Sequence, residues 1–121
     1  MKVKIDTKEK FSVITIQDLS LPANMTENVK ETLLSFLNKD PKNIIINLEN
    51  VHEIAEPVAK VLLDIQQAFY DANSSMVICR LQPGIENYLD EREFLELMNV
   101  TPTESEAWDI VQMEEIEREF N

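Results

Sequence analysis

The chain has 121 residues, of which 44% are hydrophobic and 28% charged, and its formal net charge is -12. This is one domain's length with enough apolar surface for a core, and its acidity repels phosphate backbones and anionic lipid, so no nucleic acid is expected as a ligand and a partner with a basic face is favoured. A single cysteine excludes an intrachain disulfide, no apolar run approaches the ~18 residues of a membrane span, and MKVKIDTKEKF lacks a signal peptide's apolar region, so direct membrane insertion is not expected and a cytoplasmic location is.

Alternation over residues 2–6 and 11–17, with β-branched Val13, Ile14 and Ile16, predicts two strands. The turn Lys8-Glu9-Lys10 between them makes the pair antiparallel. Residues 18–23 contain Pro22 and read as a loop. Asn24 and Glu27 have capping-box spacing. Met25, Val29, Leu33, Phe36 and Leu37 share one face of the helix they open. Asp40-Pro41 signals a turn. Ile44, Ile45 and Ile46 then run without alternation, as in a strand covered on both faces.

A second helix is predicted from about Pro57, because a first helical turn favours a residue with no N–H to satisfy. Val58, Val61, Leu62, Ile65 and Phe69 form its buried stripe, while Lys60, Asp64, Gln67 and Asp71 face away. Asn73-Ser74-Ser75 ends it, and residues 76–81 are another buried strand, so 43–81 is a β-α-β unit. Past Pro83-Gly84 come a short helix over 85–89, a further turn over 94–98 and a short edge strand over 99–102. Thr103 and Glu106 form a capping box for a last helix that carries Ala107, Trp108, Ile110 and Val111. Trp108 is expected in the core, although it and Phe120 could also face a partner. The acidic end, 114–121, is expected to fray or project. Residues 1–121 thus read as a single α/β domain with a mixed, mostly parallel sheet, an N-terminal antiparallel strand pair and about four helices.

Open α/β proteins present functional groups where strands turn into helices. The corner before the second helix holds His52, Glu53, Ala55, Glu56 and Pro57, with no serine, threonine, lysine, arginine or glycine. Cradling a nucleotide needs a glycine-rich loop, and the chain has one glycine, Gly84. A metal needs clustered ligands; His52 is the sole histidine, and its neighbour Glu53 points elsewhere. Cys79 lies within an apolar strand, where cysteine acts as a small hydrophobe. No cofactor, metal site or catalytic residue is expected, and the corner suits an interaction module better than an enzyme.

Three segments and the element order carry a family resemblance. Asn47-Leu48-Glu49-Asn50-Val51 follows an apolar strand, Val61-Leu62-Leu63 forms a helix core, and Thr103-Glu104-Ser105-Glu106-Ala107 opens the last helix. In these the chain resembles the STAS family, the anti-sigma-factor antagonists of bacteria and related domains on anion transporters. The resemblance implies a partner-switching role in transcription regulation and signal transduction, with an anti-sigma factor or serine-kinase-like protein as partner. An alternative is a STAS-like scaffold or a soluble subunit of a signalling or transport complex. It also places the family's Asp-Ser-Ser-Gly switch motif on Ala55, Glu56, Pro57 and Val58. Pro57 takes the place of the serine that is usually phosphorylated, so no phosphorylation is expected there, and no serine or threonine occurs between Ser35 and Ser74. Glu56 is either a fixed partial mimic of phosphate or an acid favoured by the positive end of a helix. The expected docking surface is His52, Glu53, Glu56, Pro57, Val58 and Lys60, with Glu56 facing a basic group of the partner.

Overall fold

The computed structural model describes residues 1–120. Strands β1 (Val3–Thr7) and β2 (Phe11–Ile16) pair antiparallel, with Val3 opposite Ile16 and Thr7 opposite Ser12. A two-residue strand, β3 (Ser20–Leu21), leads through a 3-10 turn, Ala23–Met25, into α1 (Thr26–Leu34) and a second 3-10 turn, Ser35–Asn38. Next come β4 (Asn43–Asn47), β5 (Glu53–Ile54), α2 (Glu56–Asp71), β6 (Met76–Cys79), α3 (Pro83–Glu91), β7 (Val100–Thr101) and α4 (Glu104–Glu119). The main sheet has the order β1-β2-β4-β6-β7, parallel except for its first pair. The expected mixed sheet, β-α-β unit and four helices are all present.

Side chains alternate across a strand, and the isoleucine run of β4 divides accordingly. Ile44 and Ile46 join a core with Ile14, Ile16 and Ile78, roofed by Val29 and Leu33 of α1, Val58, Leu62, Ile65 and Phe69 of α2, and Ile85 and Leu89 of α3. Ile45 points the other way, with Phe11, Val13, Val77 and Cys79, against Ala107 and Val111 of α4. One helix therefore covers the second face. Trp108 sits at its margin, 39% exposed, with its ring edge-on to Phe11 at 5.0 Å, rather than inside the core as expected.

Several boundaries differ from the sequence pattern for local reasons. Asn24 does not cap α1, because it lies inside the 3-10 turn, whereas a cap needs extended backbone. The Thr26 hydroxyl instead bonds the Ala23 carbonyl at 2.7 Å. At α4 the cap is as expected: Thr103 Oγ1 accepts from the Glu106 N–H at 3.2 Å. The Glu106 carboxylate accepts from the Thr103 hydroxyl, 3.1 Å away. The acidic end does not fray from Glu114; α4 stays helical to Glu119. Its inner side is tied down by polar bonds: Tyr70 Oη donates to Glu114 at 2.7 Å, Asn43 Nδ2 to Glu115 at 2.5 Å, and Arg118 Nη1 to Ser75 Oγ at 3.1 Å. Of that expectation, Asn121 lies outside the described residues.

Cys79 is fully buried. Burial, followed by the negative field of Glu104, pushes its thiol up to about 12. Two outcomes follow. The native thiol should resist a disulfide-exchange reagent at pH 8, and react only as fast as the chain opens. Between the unfolded thiol's pKa, about 8.5, and the folded value, the unfolded chain holds fewer protons. Stability therefore falls as pH rises, by about 1.4 kcal/mol per unit from this group. Tyr70, raised by burial and by Glu114, adds a loss of the same sign at higher pH. A Cys79→Ala variant should show a shallower alkaline decline in thermal melts.

Candidate functional site

The corner is built by two short strands. The Leu19 carbonyl accepts from the backbone N–H groups of His52, at 2.8 Å, and Glu53, at 3.3 Å, and the Leu21 carbonyl from that of Ala55 at 2.9 Å. These bonds join β3 to β5 in parallel, Ser20 beside Glu53 and Leu21 beside Ile54. The segment expected to be a plain loop is therefore the strap that fixes the corner. Leu21 is fully buried and anchors it from below.

The helix begins at Glu56, one residue before the expected start, so Pro57 is its second residue. Ala55 is the N-cap, and its short side chain makes no capping bond. Its carbonyl accepts from Val58 at 3.0 Å and from Ala59 at 3.1 Å. Proline has no N–H, and that of Val58 is already bonded within the turn. The first turn is thus poor in free donors and carries a carboxylate, the reverse of an anion-binding helix start.

His52, Glu53, Glu56, Pro57 and Lys60 are exposed, as expected of a docking face. Val58 is not; it is fully buried among the α2 core residues. The helical period explains this correction. Val58 begins the same stripe as Val61, Leu62 and Ile65, and a residue on that stripe cannot also face solvent. Glu56 carries Lys60 one turn along, Oε1 to Nζ at 3.9 Å, with both side chains at least half exposed. Such a pair is worth only a few tenths of a kcal/mol, so a partner's guanidinium could displace the lysine at little cost.

Two residues that sequence patterns did not single out also belong to this surface. Leu19 is 67% exposed, and its own carbonyl is what binds the corner together. Its signal was an apolar residue outside any periodic run. Ser20 brings a hydroxyl to the corner from a distant part of the chain, beside Glu53. An open cleft of about 280 Å³ lies here, lined by Ser20, Leu21, Pro22, Ala23, Glu53, Ile54 and Ala55. The surface is therefore one apolar knob, a proline, two acids, a histidine and a lysine over a shallow cleft.

The STAS domain profile matches residues 2–107, and the chain belongs to the STAS family. No curated protein sequence matches it. Its fold is shared by an anti-sigma factor antagonist from Mycobacterium paratuberculosis, with a TM-score of 0.78 and 12% identity over 92% of this chain and 93% of that one. It is shared too by a serine-to-glutamate variant of RsbS from Moorella thermoacetica, with a TM-score of 0.73 and 20% identity over 93% and 96% of the two chains. A murine anion transporter of the solute carrier 26 family, in its inward-facing state, contains the same fold, with a TM-score of 0.71 and 12% identity over 89% of this chain and 18% of that one. Among the described residues no helix is long and apolar enough to cross a membrane.

Proposed function

We propose that the chain is a non-enzymatic interaction module that acts as an anti-sigma-factor antagonist does, by competing for an anti-sigma factor or a serine-kinase-like protein. The observation that carries this reading is Pro57, exposed at the second position of α2, where a phosphorylated relative would need a hydroxyl. Binding is then constitutive, or controlled through the partner. The docking face comprises His52, Glu53, Glu56, Pro57 and Lys60, with Leu19 as its apolar anchor. The acids meet a basic surface on the partner, and the overall charge of -12 speeds the encounter.

Titration of a purified serine-kinase-like anti-sigma protein with wild type, Glu56→Lys and Leu19→Asp tests the surface. Both variants should bind at least about tenfold more weakly, as loss of a central anchor or a reversed charge does. Wild-type affinity for both would remove the corner from the account.

A second reading, a scaffold or soluble subunit of a transport complex, is favoured by the same fold's occurrence within a membrane transporter. Affinity purification from the native organism separates the two. A kinase-like protein in stoichiometric amount supports the first reading, and an ATPase or membrane component the second.

A further inference from the structure

The last two turns of α4 are built inside out. Met113, Ile116 and Phe120, spaced i, i+3 and i+7, form one stripe on the solvent side, 55%, 54% and 84% exposed. On the opposite side of the same turns stand Glu114, Glu115 and Arg118, bonded to Tyr70, Asn43 and Ser75. A surface helix normally turns its apolar residues inward. Here the register is held the other way, because rotating the stripe inward would break the bonds to buried Asn43 and Ser75 and half-buried Tyr70. Met113 and Ile116 lie within α4 and Phe120 is its C-cap, so the stripe runs roughly 10 Å along the helix end, and all three side chains stay exposed.

Charge decides what could cover it. Exposed Asp109, Glu117 and Glu119 flank the stripe, while the one basic residue of α4, Arg118, points inward to Ser75, and Lys10 of the β1–β2 turn lies against Glu115 on the inner side. Two copies packed stripe to stripe would set these carboxylates against one another, and anionic membranes are repelled likewise. A helix whose apolar ridge is edged with lysine or arginine satisfies both the stripe and its rim. We propose that the outer face of α4 is a second docking surface, distinct from the β5–α2 corner, and that it takes a basic amphipathic helix of a partner protein.

The test uses the full chain and a fluorescently labelled synthetic helix with a leucine ridge flanked by lysines. Fluorescence anisotropy should show saturable binding that weakens as salt is added. Ile116→Glu and the double variant Met113→Ser/Ile116→Ser should each weaken it roughly tenfold with unchanged circular dichroism and melting temperature, while Glu56→Lys leaves it intact. The same helix with glutamate in place of lysine should not bind. Absence of saturable binding, equal binding by the Ile116 variants, or loss on Glu56→Lys alone would overturn the proposal. So would wild-type dimerisation in light scattering that Ile116→Glu abolishes, which would assign the stripe to a second copy.

Discussion

Replacing Asn43 by leucine is expected to lower the free energy of unfolding by about 3–5 kcal/mol, a large share of the 5–15 kcal/mol typical of a domain. Asn43 is 5% exposed and stands at the start of β4, where three parts of the chain converge. Its Nδ2 donates to the Lys10 carbonyl at 2.9 Å and to Glu115 at 2.5 Å. Its Oδ1 accepts from the Ser75 N–H at 2.8 Å and the Ser74 hydroxyl at 3.2 Å. Arg118 Nη2 also donates to that oxygen, at 3.4 Å, so leucine, of similar bulk, leaves all five partners without this amide. Each buried group so stranded costs about 1–3 kcal/mol, less whatever water can recover. Chemical denaturation with an unchanged m-value is the measurement. A loss under about 1 kcal/mol would mean that the turn β1–β2, the start of β6 and the end of α4 are held by something else.

The second large effect is a contrast between two residues of one helical turn. Val58→Asp should cost about 4 kcal/mol or more, because it places an unpaired carboxylate under α2 among Ile and Leu side chains. Val58→Ala, which keeps the fold, should still cost about 2 kcal/mol. Glu56→Lys, two residues earlier, should change stability by less than about 1 kcal/mol, since it removes only a favourable charge at the helix start and an exposed ion pair. Its effect should appear in partner binding. Denaturation of all three beside binding of the two that fold separates the core from the docking face. Equal loss of stability at both positions would mean that Glu56 is a structural residue.

How much of this could be read from residues alone depended on the range of the interactions. Element types came from local period: Ile44 to Ile46 declared a strand buried on both faces, and the α2 stripe emerged intact. The same stripe contained the answer for Val58, whose helical phase outweighs its nearness to the corner. Long-range pairing was not legible. Nothing in Asp18-Leu19-Ser20 announces that its backbone will strap β5 to the body, so Leu19 and Ser20 were missed. The end of α4 misled for a related reason. Its charged run looks solvated because the partners of Glu114, Glu115 and Arg118 lie at residues 70, 43 and 75, far away in sequence. That Pro57 has no hydroxyl is a property of the residue itself and needs no tertiary information; its match to the phosphorylated serine rests on the family resemblance.

Intact-mass spectrometry after incubation with the cognate serine-kinase-like partner and ATP, combined with partner binding before and after, tests the fixed docking face most directly. The account predicts an unmodified chain and the same affinity on both sides of the incubation. A stoichiometric phosphoryl group on Ser20, on His52 or elsewhere, accompanied by release of the partner, would contradict it.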